Sequence, residues 1–267
     1  MGASRRTRGT ALITGASGGI GLALAREAAA DGFDLVLVAR NGEALGALAE
    51  EARDAHGVSV RAIAKDLAVP GAPAEIFAEL AGAGVHADVL VNNAGFGTWG
   101  RFAELDPEGE LRMVRVNVLA LTHLTRLFLP GMVERGSGRV LNVASTAGFL
   151  PGPLMAVYYA SKAYVLSFSE ALAAELGGSG VTVTALCPGP TRTGFQGAAK
   201  MEGARLVSGL VPVHDAATVA RAGWRGAMRG KRIVVPGLLN KLSVQSVRLG
   251  PRRLIAAIVL RLNGRPA

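Results

Sequence analysis

The sequence of 267 residues is poor in the features that mark secreted or metal-binding proteins. Its one cysteine, Cys187, cannot form a disulfide within the chain, so we expect a reducing, cytoplasmic environment. The N-terminal stretch MGASRRTRGT is basic but lacks the apolar segment of a secretory signal. We predict no metal site, because no spacing typical of metal ligands relates the four histidines His56, His86, His123 and His214.

Acidic residues are missing from the end of the chain. The last 52 residues hold 11 of the 29 Lys and Arg residues and none of the 20 Asp and Glu residues, so the net charge of +9 is concentrated there. The apolar runs within 238–262 are too short to span a bilayer, and Pro251 interrupts them. We therefore predict one or two basic amphipathic helices over 237–267.

Three roles remain open for this basic segment. It could lie on an anionic membrane surface, attract a phosphorylated acyl carrier, or cover a cleft or a subunit interface with its arginines in solvent. Its basic residues match no nucleic-acid-binding motif, so we expect no nucleic-acid partner.

Aromatic residues make up only 5% of the chain, yet all three tyrosines lie in VYYASKAY, residues 157–164. Only Tyr158 is followed four residues later by a lysine, Lys162, and residues at this spacing share a helix face. A nearby cation would lower the phenol pKa towards the range useful for acid–base catalysis. The alternative is an ordinary buried tyrosine beside a lysine whose ammonium group reaches solvent.

Short β-branched runs alternate with helical patterns along 1–236, as is typical of a parallel sheet covered by helices on both faces. We predict an α/β fold with a doubly wound, mostly parallel sheet of the Rossmann type. We predict that residues 1–236 form one domain, which the motifs below make the dinucleotide-binding and catalytic domain, and that 237–267 are a helical extension of the same domain. Strands are predicted at 10–15, 33–40, 58–67, 87–95, 138–145, 181–189 and 231–237, and helices at 20–32, 41–57, 73–84, 107–120, 121–135, 156–178 and 215–229.

A glycine-rich turn, TGASGGIG, connects the first predicted strand to the first helix and contains Gly15, Gly19 and Gly21. Backbone N–H groups at a helix N-terminus bind phosphate, and glycines permit its close approach. Many such turns serve only packing, but the strand–turn–helix context is the one that dinucleotide binding requires.

Four motifs together resemble the short-chain dehydrogenase/reductase family: TGASGGIG at 14–21, NNAG at 92–95, YYASK at 158–162 and PGPTRT at 188–193. The resemblance implies a nicotinamide cofactor and hydride transfer to or from a carbonyl carbon. The C-terminal segment departs from the usual ending of the family and is similar to the branch of 3-oxoacyl reductases and membrane-associated steroid or lipid reductases. We expect a homo-oligomer, with a dimer and a tetramer both open.

The resemblance implies a catalytic set of Asn117, Ser145, Tyr158 and Lys162. Tyr158 would protonate the substrate oxygen, Ser145 would orient that oxygen, and Lys162 would hold the nicotinamide ribose and lower the phenol pKa. Asn117 interrupts an apolar helical stretch, which indicates a helix kink or a buried water bound to Lys162. Ser145 ends a strand at the ligand-binding edge of the sheet, where it could also cap a turn.

The residues after the second strand favour NADP(H) over NAD(H). Ala39 and Arg40 stand where an acid would bind the ribose 2′-OH, and the Arg40 guanidinium can pair with a 2′-phosphate. Asp66 resembles the adenine-contacting aspartate of the family but could instead cap a turn. The predicted cofactor contacts are Gly15, Ser17, Gly19, Ile20, Gly21, Arg40, Asp66, Leu67, Asn93, Ala94, Gly95, Tyr158, Lys162, Pro188, Gly189, Thr191 and Thr193.

Apolar residues near the motifs predict a hydrophobic substrate, although each of them could be core. They are Phe96, Trp99, Phe149, Leu150, Met155, Phe195 and Met201. We therefore predict an NADPH-dependent oxidoreductase that acts on a hydrophobic ketone or secondary alcohol, such as a 3-oxoacyl thioester or a steroid-like lipid. The alternative is a non-catalytic NADP-binding sensor, against which the complete Ser145–Tyr158–Lys162 set argues. The expected location is cytoplasmic, or peripheral to a membrane surface.

Overall fold

Seven strands form one sheet in the computed structural model, which describes residues 7–199, 213–247 and 250–264. In chain order the strands are β1 (Thr10–Thr14), β2 (Asp34–Ala39), β3 (Val60–Ala64), β4 (Val89–Asn92), β5 (Gly138–Val143), β6 (Val181–Leu186), β7 (Thr191–Arg192), β8 (His214–Asp215) and β9 (Ile233–Val234). The sheet order is β3-β2-β1-β4-β5-β6-β9, while β7 and β8 pair separately with each other. All pairs in the sheet are parallel. The prediction of a mostly parallel sheet is confirmed.

Helices cover both faces of the sheet, so the doubly wound arrangement is also confirmed. The helices are α1 (Gly19–Ala30), α2 (Gly42–His56), α3 (Ala72–Gly82), α4 (Pro107–Val114), α5 (Leu121–Glu134), α6 (Ala156–Glu175), α7 (Phe195–Ala198), α8 (Ala216–Met228), α9 (Leu238–Ser246) and α10 (Arg252–Asn263). Buried residues of α1, α2 and α8 form the core on one face. Those of α3 and α5 form the core on the other face, where the end of α6 also packs.

The local signals that begin and end these helices are visible in the sequence. Asn41 begins α2 by accepting a hydrogen bond from the Ala44 N–H (3.0 Å), and Gly57 ends it in the left-handed conformation. Asp215 caps α8 by accepting from the Thr218 N–H (2.7 Å), and it also accepts from the Thr218 hydroxyl (2.7 Å). The bond from the hydroxyl first, and that from the N–H second, hold the pKa of the Asp215 carboxyl below its usual range. Helix position is therefore set largely by short-range chemistry.

The helices predicted at 107–120 and 121–135 follow each other without a gap and form one rod, Pro107–Glu134. Its middle segment, Arg115–Ala120, is π-helical. Among the described residues this rod alone is long and apolar enough to cross a membrane, and its most apolar 18-residue stretch has a mean hydropathy of 1.3. Leu124 and Phe128, which lie on it, are buried in the core against the sheet. Packing inside the protein therefore accounts for part of its apolar composition, since 44% of that stretch is buried.

The C-terminal extension contains two helices, α9 and α10, as the sequence predicted. Ile255 and Val259 of α10 lie in one hydrophobic cluster with Met155 and Tyr159, which belong to the α6 region. This packing favours the assignment of 237–267 to the same domain, and the boundary at 236 stays a prediction.

Candidate active site

A cavity of about 1170 Å³ opens at the carboxyl ends of the strands. The chain winds from β1 to β3 in one direction and from β4 to β6 in the other, so the sheet reverses its order between β1 and β4. Ligands of open α/β sheets bind in the crevice at such a point. Of the 17 predicted cofactor contacts, all but Gly21 line this cavity: Gly15, Ser17, Gly19, Ile20, Arg40, Asp66, Leu67, Asn93, Ala94, Gly95, Tyr158, Lys162, Pro188, Gly189, Thr191 and Thr193.

The glycine-rich turn is shaped for close contact between backbone and ligand. Gly15 (φ 66°) and Gly19 (φ 55°) adopt conformations that residues with a side chain rarely reach. No side chain in the described part of the chain caps the start of α1 at Gly18, so its first N–H groups keep their capacity to bind an anion. Gly21 lies outside the cavity wall, because it packs against the Gly15 carbonyl and the Asn93 amide, where a Cβ would overlap both. Its role is packing rather than contact.

The end of β2 presents a positive charge to the cavity. Arg40 is exposed at the rim and has no ion pair among the residues that the structure describes. Asp66 lies nearby, where its carboxylate accepts a hydrogen bond from the Ala68 N–H (2.9 Å) and pairs with Arg112. Asp66 thus fulfils the turn-capping alternative while still lining the cavity. No sequence motif pointed to Arg112, which the fold brings from α4 into the same wall.

Tyr158 lies in the cavity wall, and burial raises the pKa of its phenol to about 12, while the nearby Ser145 side chain acts in the opposite direction. The expected lowering of this pKa by Lys162 is therefore not found in the protein alone. The Lys162 ammonium lies 5.9 Å from the centre of the Tyr158 ring, on the same helix face as predicted. At that distance the desolvation of the phenol outweighs the attraction of the cation.

Lys162 itself is buried, with 6% of its surface exposed. Its Nζ donates a hydrogen bond to the Val143 carbonyl at the end of β5 (2.7 Å). Burial lowers the pKa of Lys162 to about 8. The lysine is thus held inside the wall and does not extend to solvent, which removes the alternative stated from the sequence.

Ser145 follows β5 and links two strand ends. Its hydroxyl donates to the Pro188 carbonyl (3.3 Å) and accepts from the Ala147 N–H (3.1 Å), which caps the short 3-10 helix Thr146–Phe149. Both roles stated from the sequence are therefore present in one side chain: Ser145 caps a turn and faces the cavity.

Asn117 lies in the π-helical segment, so the helix distortion expected at this position is confirmed. Its amide donates to the Phe96 carbonyl (2.9 Å) and to the Ser161 hydroxyl (3.0 Å), and its carbonyl accepts from the Phe96 N–H (3.1 Å). A Cβ on Gly95 would lie 3.0 Å from the Asn117 oxygen and 3.5 Å from Lys162 Nζ. Asn117 does not line the cavity itself, and its link to Lys162 through a water stays a prediction.

The other end of the cavity is apolar. Phe96, Leu150, Met155 and Phe195 line it as predicted, and the Phe195 ring centre lies 5.1 Å from that of Tyr158. The fold also adds residues of the extension that the sequence did not single out: Asn240, Ser243, Val259, Leu262 and Asn263. These residues lie far along the chain from the motifs, and no motif surrounds them, so nothing in the sequence indicated that they line the cavity.

Two predicted lining residues are corrected by the structure. The Trp99 side chain lies outside the cavity wall, because its Nε1 donates to the Asn263 carbonyl (2.7 Å) and its ring packs in a cluster with Met155. Phe149 is also outside the wall and packs beside Leu121 and Val165. Met201 lies outside the described residues. Within those residues no group of His, Cys, Asp and Glu is arranged to hold a metal ion.

Comparison with known proteins gives one family. The family model for short chain dehydrogenase matches residues 9–202. A curated relative, the very-long-chain 3-oxoacyl-CoA reductase of Anas platyrhynchos, is 36% identical over 185 residues, which cover 67% of this chain and 58% of that protein. The chain therefore spans less than two thirds of this relative.

Two solved structures are similar over almost the whole chain. A short-chain dehydrogenase from Sphingobium yanoikuyae in complex with NADPH has a TM-score of 0.81 and 37% identity, covering 91% of this chain and 94% of that one. The bulky-bulky ketone specific alcohol dehydrogenase from Comamonas testosteroni has a TM-score of 0.77 and 31% identity, covering 92% and 94%.

Proposed function

Because the chain belongs to the short-chain dehydrogenase family, we propose that it is an NADPH-dependent oxidoreductase that interconverts a hydrophobic ketone and its secondary alcohol. The observation that carries this proposal is the convergence of Ser145, Tyr158 and Lys162 in the wall of one cavity with an apolar end. The family predicted from the four sequence motifs is confirmed.

The residues present fit a dinucleotide. The left-handed glycines and the uncapped start of α1 form a backbone cradle that a side chain would fill. Pro188, Gly189, Thr191 and Thr193 line the same cavity beyond Ser145 and would hold the nicotinamide end. When bound, the nicotinamide supplies or accepts the hydride.

The side chains around Tyr158 would handle the proton. With a pKa of about 12 the phenol stays protonated near neutral pH and can donate to a carbonyl oxygen during reduction. Ser145 would donate a hydrogen bond to the same oxygen as negative charge develops on it. Lys162, buried beside Tyr158, would bind the ribose hydroxyls and stabilise the phenolate that remains.

Arg40 supports NADP(H) as the cofactor. Its guanidinium is unpaired at the rim of the cavity, among the described residues, and a 2′-phosphate would complete a charge-assisted pair there. The similar Sphingobium enzyme was solved with NADPH, which agrees with this choice.

The apolar end of the cavity supports a hydrophobic ketone as substrate, and two candidate classes remain. A relative is named for 3-oxoacyl-CoA reduction, and a similar structure is named for ketones with two bulky substituents. Both classes attach an apolar group to the carbonyl carbon, and the apolar end of this cavity would accommodate such a group.

The test is to follow NADPH oxidation with a panel running from 3-oxoacyl thioesters to bulky cyclic ketones. Tyr158→Phe should abolish turnover, while Tyr164→Phe, which alters an exposed tyrosine bonded to Thr122, should leave it unchanged. Equal activity of both variants would contradict the proposed acid. Tight NADPH binding without turnover of any ketone would favour the sensor alternative instead.

We also propose a peripheral membrane contact through the extension. Leu238, Leu239 and Leu242 of α9 are 72%, 61% and 58% exposed, and the last 52 residues have no acid to repel an anionic lipid. Sedimentation with phosphatidylglycerol vesicles should exceed that with phosphatidylcholine vesicles, and changing the three leucines to Gln should remove the difference. Leu111→Gln, on an exposed face of α4, is the matched control. Equal binding to both vesicles would contradict a charge-assisted contact.

The expected homo-oligomer stays a prediction, and light scattering after size-exclusion chromatography would distinguish a monomer, a dimer and a tetramer.

A further inference from the structure

We propose that α10 is the specificity-determining wall of the substrate end of the cavity. In this arrangement Val259 and Leu262 limit the size of the apolar group that can enter, and Asn263 is a positioning residue that holds them in place. The proposal rests on the proposed function and names the side chains that select its substrate.

The helix has an inner and an outer side. Ile255, Val259 and Asn263, spaced four residues apart, are 9%, 5% and 0% exposed. Leu254 and Ile258 on the outer side are 56% and 50% exposed. The inner side is therefore packed into the protein as firmly as a core helix, even though α10 is the last helix that the structure describes.

Asn263 fastens the end of this helix to two loops beside the catalytic tyrosine. Its side-chain amide donates to the Pro153 carbonyl (2.9 Å), and its side chain also lies 3.4 Å from the Tyr159 hydroxyl. Its backbone carbonyl accepts from Trp99 Nε1 (2.7 Å). A fully buried amide with these partners is costly to misplace, because each lost bond leaves a buried polar group unpaired. Asn263 thus sets the position of α10 relative to Tyr159 and hence to Tyr158.

Val259, Leu262 and Asn263 line the same cavity as Tyr158. The Asn263 amide is occupied by Pro153 and Tyr159, so the methyl groups of Val259 and Leu262 are what α10 offers to a ligand. Val259 packs in one hydrophobic cluster with Met155 and Phe195, which line the same cavity. A wall of aliphatic side chains recognises shape and apolar area rather than hydrogen bonds, so it would discriminate by substrate size.

This wall lies outside the residues that the family model matches. The family match ends at residue 202, and α10 begins at Arg252. Changes in α10 need not disturb the glycine-rich turn, because the two lie in distant parts of the chain.

The main experiment compares Leu262→Phe with Leu260→Phe, which places the same added ring on an exposed position of the same helix. Across a series of alkyl ketones of increasing size, Leu262→Phe should lower kcat/KM for the largest substrate by about tenfold or more. The smallest ketone should be nearly unaffected, and Leu260→Phe should change neither. An equal loss for all sizes, or no loss at all, would overturn the assignment of Leu262.

A binding series without turnover separates this proposal from the proposed function. Tertiary alcohols carry no hydrogen on the oxygen-bearing carbon, so the enzyme cannot oxidise them, and their binding can be followed by tryptophan fluorescence. Leu262→Phe should weaken binding of the largest alcohol and spare the smallest, even if no ketone is ever reduced. If wild-type protein binds all sizes equally, the wall does not select by size.

The role of Asn263 has its own spectroscopic readout, because Trp99 donates to its carbonyl and the chain has only two tryptophans. Subtracting the emission of Trp99→Phe leaves the Trp99 signal. Asn263→Leu should shift this signal to longer wavelength and raise KM for large ketones more than it lowers kcat.

The thermal melting curve identifies a variant that has not folded. Asn263→Asp, which keeps an acceptor for Tyr159 but loses the donor to Pro153, should give an intermediate shift. An unchanged Trp99 signal in folded Asn263→Leu would overturn the positioning role.

Discussion

The pKa values of two neighbouring residues on α6 are moved in opposite directions by one cause. Burial disfavours the charged form of each side chain, so the pKa of the Tyr158 phenol rises to about 12 while that of the Lys162 ammonium falls to about 8. The spacing of the two residues was readable from the sequence, but the depth at which they lie was not. In the protein without a bound ligand, desolvation therefore decides the protonation of both side chains, and the attraction between them does not decide it.

The first prediction concerns how stability depends on pH through Lys162. An unfolded lysine keeps its proton up to about pH 10.5, but the folded one loses it above about pH 8, so between these values the unfolded state binds more protons. Lys162 should therefore make the free energy of unfolding rise with pH in this window, by up to about 3 kcal/mol. Urea unfolding of wild type and Lys162→Met at several pH values should show the contribution as a difference between the two free energies that grows with pH in this window.

The comparison with Lys162→Met is needed because a second buried group, Cys187, changes the free energy of unfolding with pH in the opposite direction. Burial raises the pKa of Cys187 from about 9 to about 12, so the folded state holds that proton while the unfolded state loses it, and stability falls with pH in this range. The difference between the two proteins reports Lys162 together with its interaction with Cys187, because each of these groups shifts the pKa of the other. Parallel curves for wild type and Lys162→Met would contradict the lowered pKa.

The second prediction concerns cofactor choice at Arg40. Removing the guanidinium in Arg40→Ala should weaken NADPH binding about tenfold or more, because a charge-assisted pair with the 2′-phosphate is lost. NADH binding should change little, since NADH has no 2′-phosphate. Titration of both nucleotides by fluorescence measures the ratio, and Arg101→Ala, an exposed arginine outside the cavity wall, is the control. A similar loss for both nucleotides would contradict the assigned role.

At the scale of elements, two irregular segments position the site. The π-helical segment Arg115–Ala120 turns Asn117 towards Phe96, so that a helix holds the loop that follows β4. The turn before α1 depends on Gly21, which has no room for a Cβ against Gly15. In both cases a local departure from ideal geometry brings separate elements into contact.

The third prediction tests that close packing. Gly21→Ala should destabilise the protein and weaken NADPH binding, because the added methyl group must displace the Gly15 carbonyl that shapes the turn. Gly46→Ala lies in the middle of α2 with no heavy atom within 4 Å of the new Cβ, so it should stabilise by about 0.5–1 kcal/mol. Unfolding free energies of the two variants measure the contrast. Equal effects would mean that the turn can relax around a side chain.

At the scale of the whole molecule, one cavity is built from distant parts of the chain. Gly15 and Arg40 bound the end assigned to the dinucleotide, while Met155 and Leu262 bound the apolar end. Binding of a ligand that contacts all these parts should stabilise the fold as a unit, since the unfolded chain has no such cavity.

The fourth prediction follows from that linkage. NADPH at a hundredfold excess over its Kd should raise the free energy of unfolding by about 2.7 kcal/mol. At the same concentration NADH should stabilise less, because it lacks the 2′-phosphate. Tyr158→Phe should keep the NADPH effect, since the change removes a proton donor and not the cradle. Thermal or urea unfolding measures each case, and an equal effect of both nucleotides would argue against NADP(H) as the preferred cofactor.

The sequence alone determined the sheet class, the glycine-rich turn and the spacing of Tyr158 and Lys162. These features depend on residues close together in the chain, where periodicity and glycine conformation act directly. Ser145 and Asn117 were identified by resemblance rather than by local physics.

Tertiary structure alone decided how deeply Tyr158 and Lys162 are buried, and hence the direction of their pKa shifts. It also placed Trp99 and Phe149 behind the cavity wall and brought Val259, Leu262 and Asn263 into it. Asn263 meets Tyr159 across 104 positions of the chain. Contacts of that separation depend on the packing of whole elements, which short-range patterns in a single sequence do not encode.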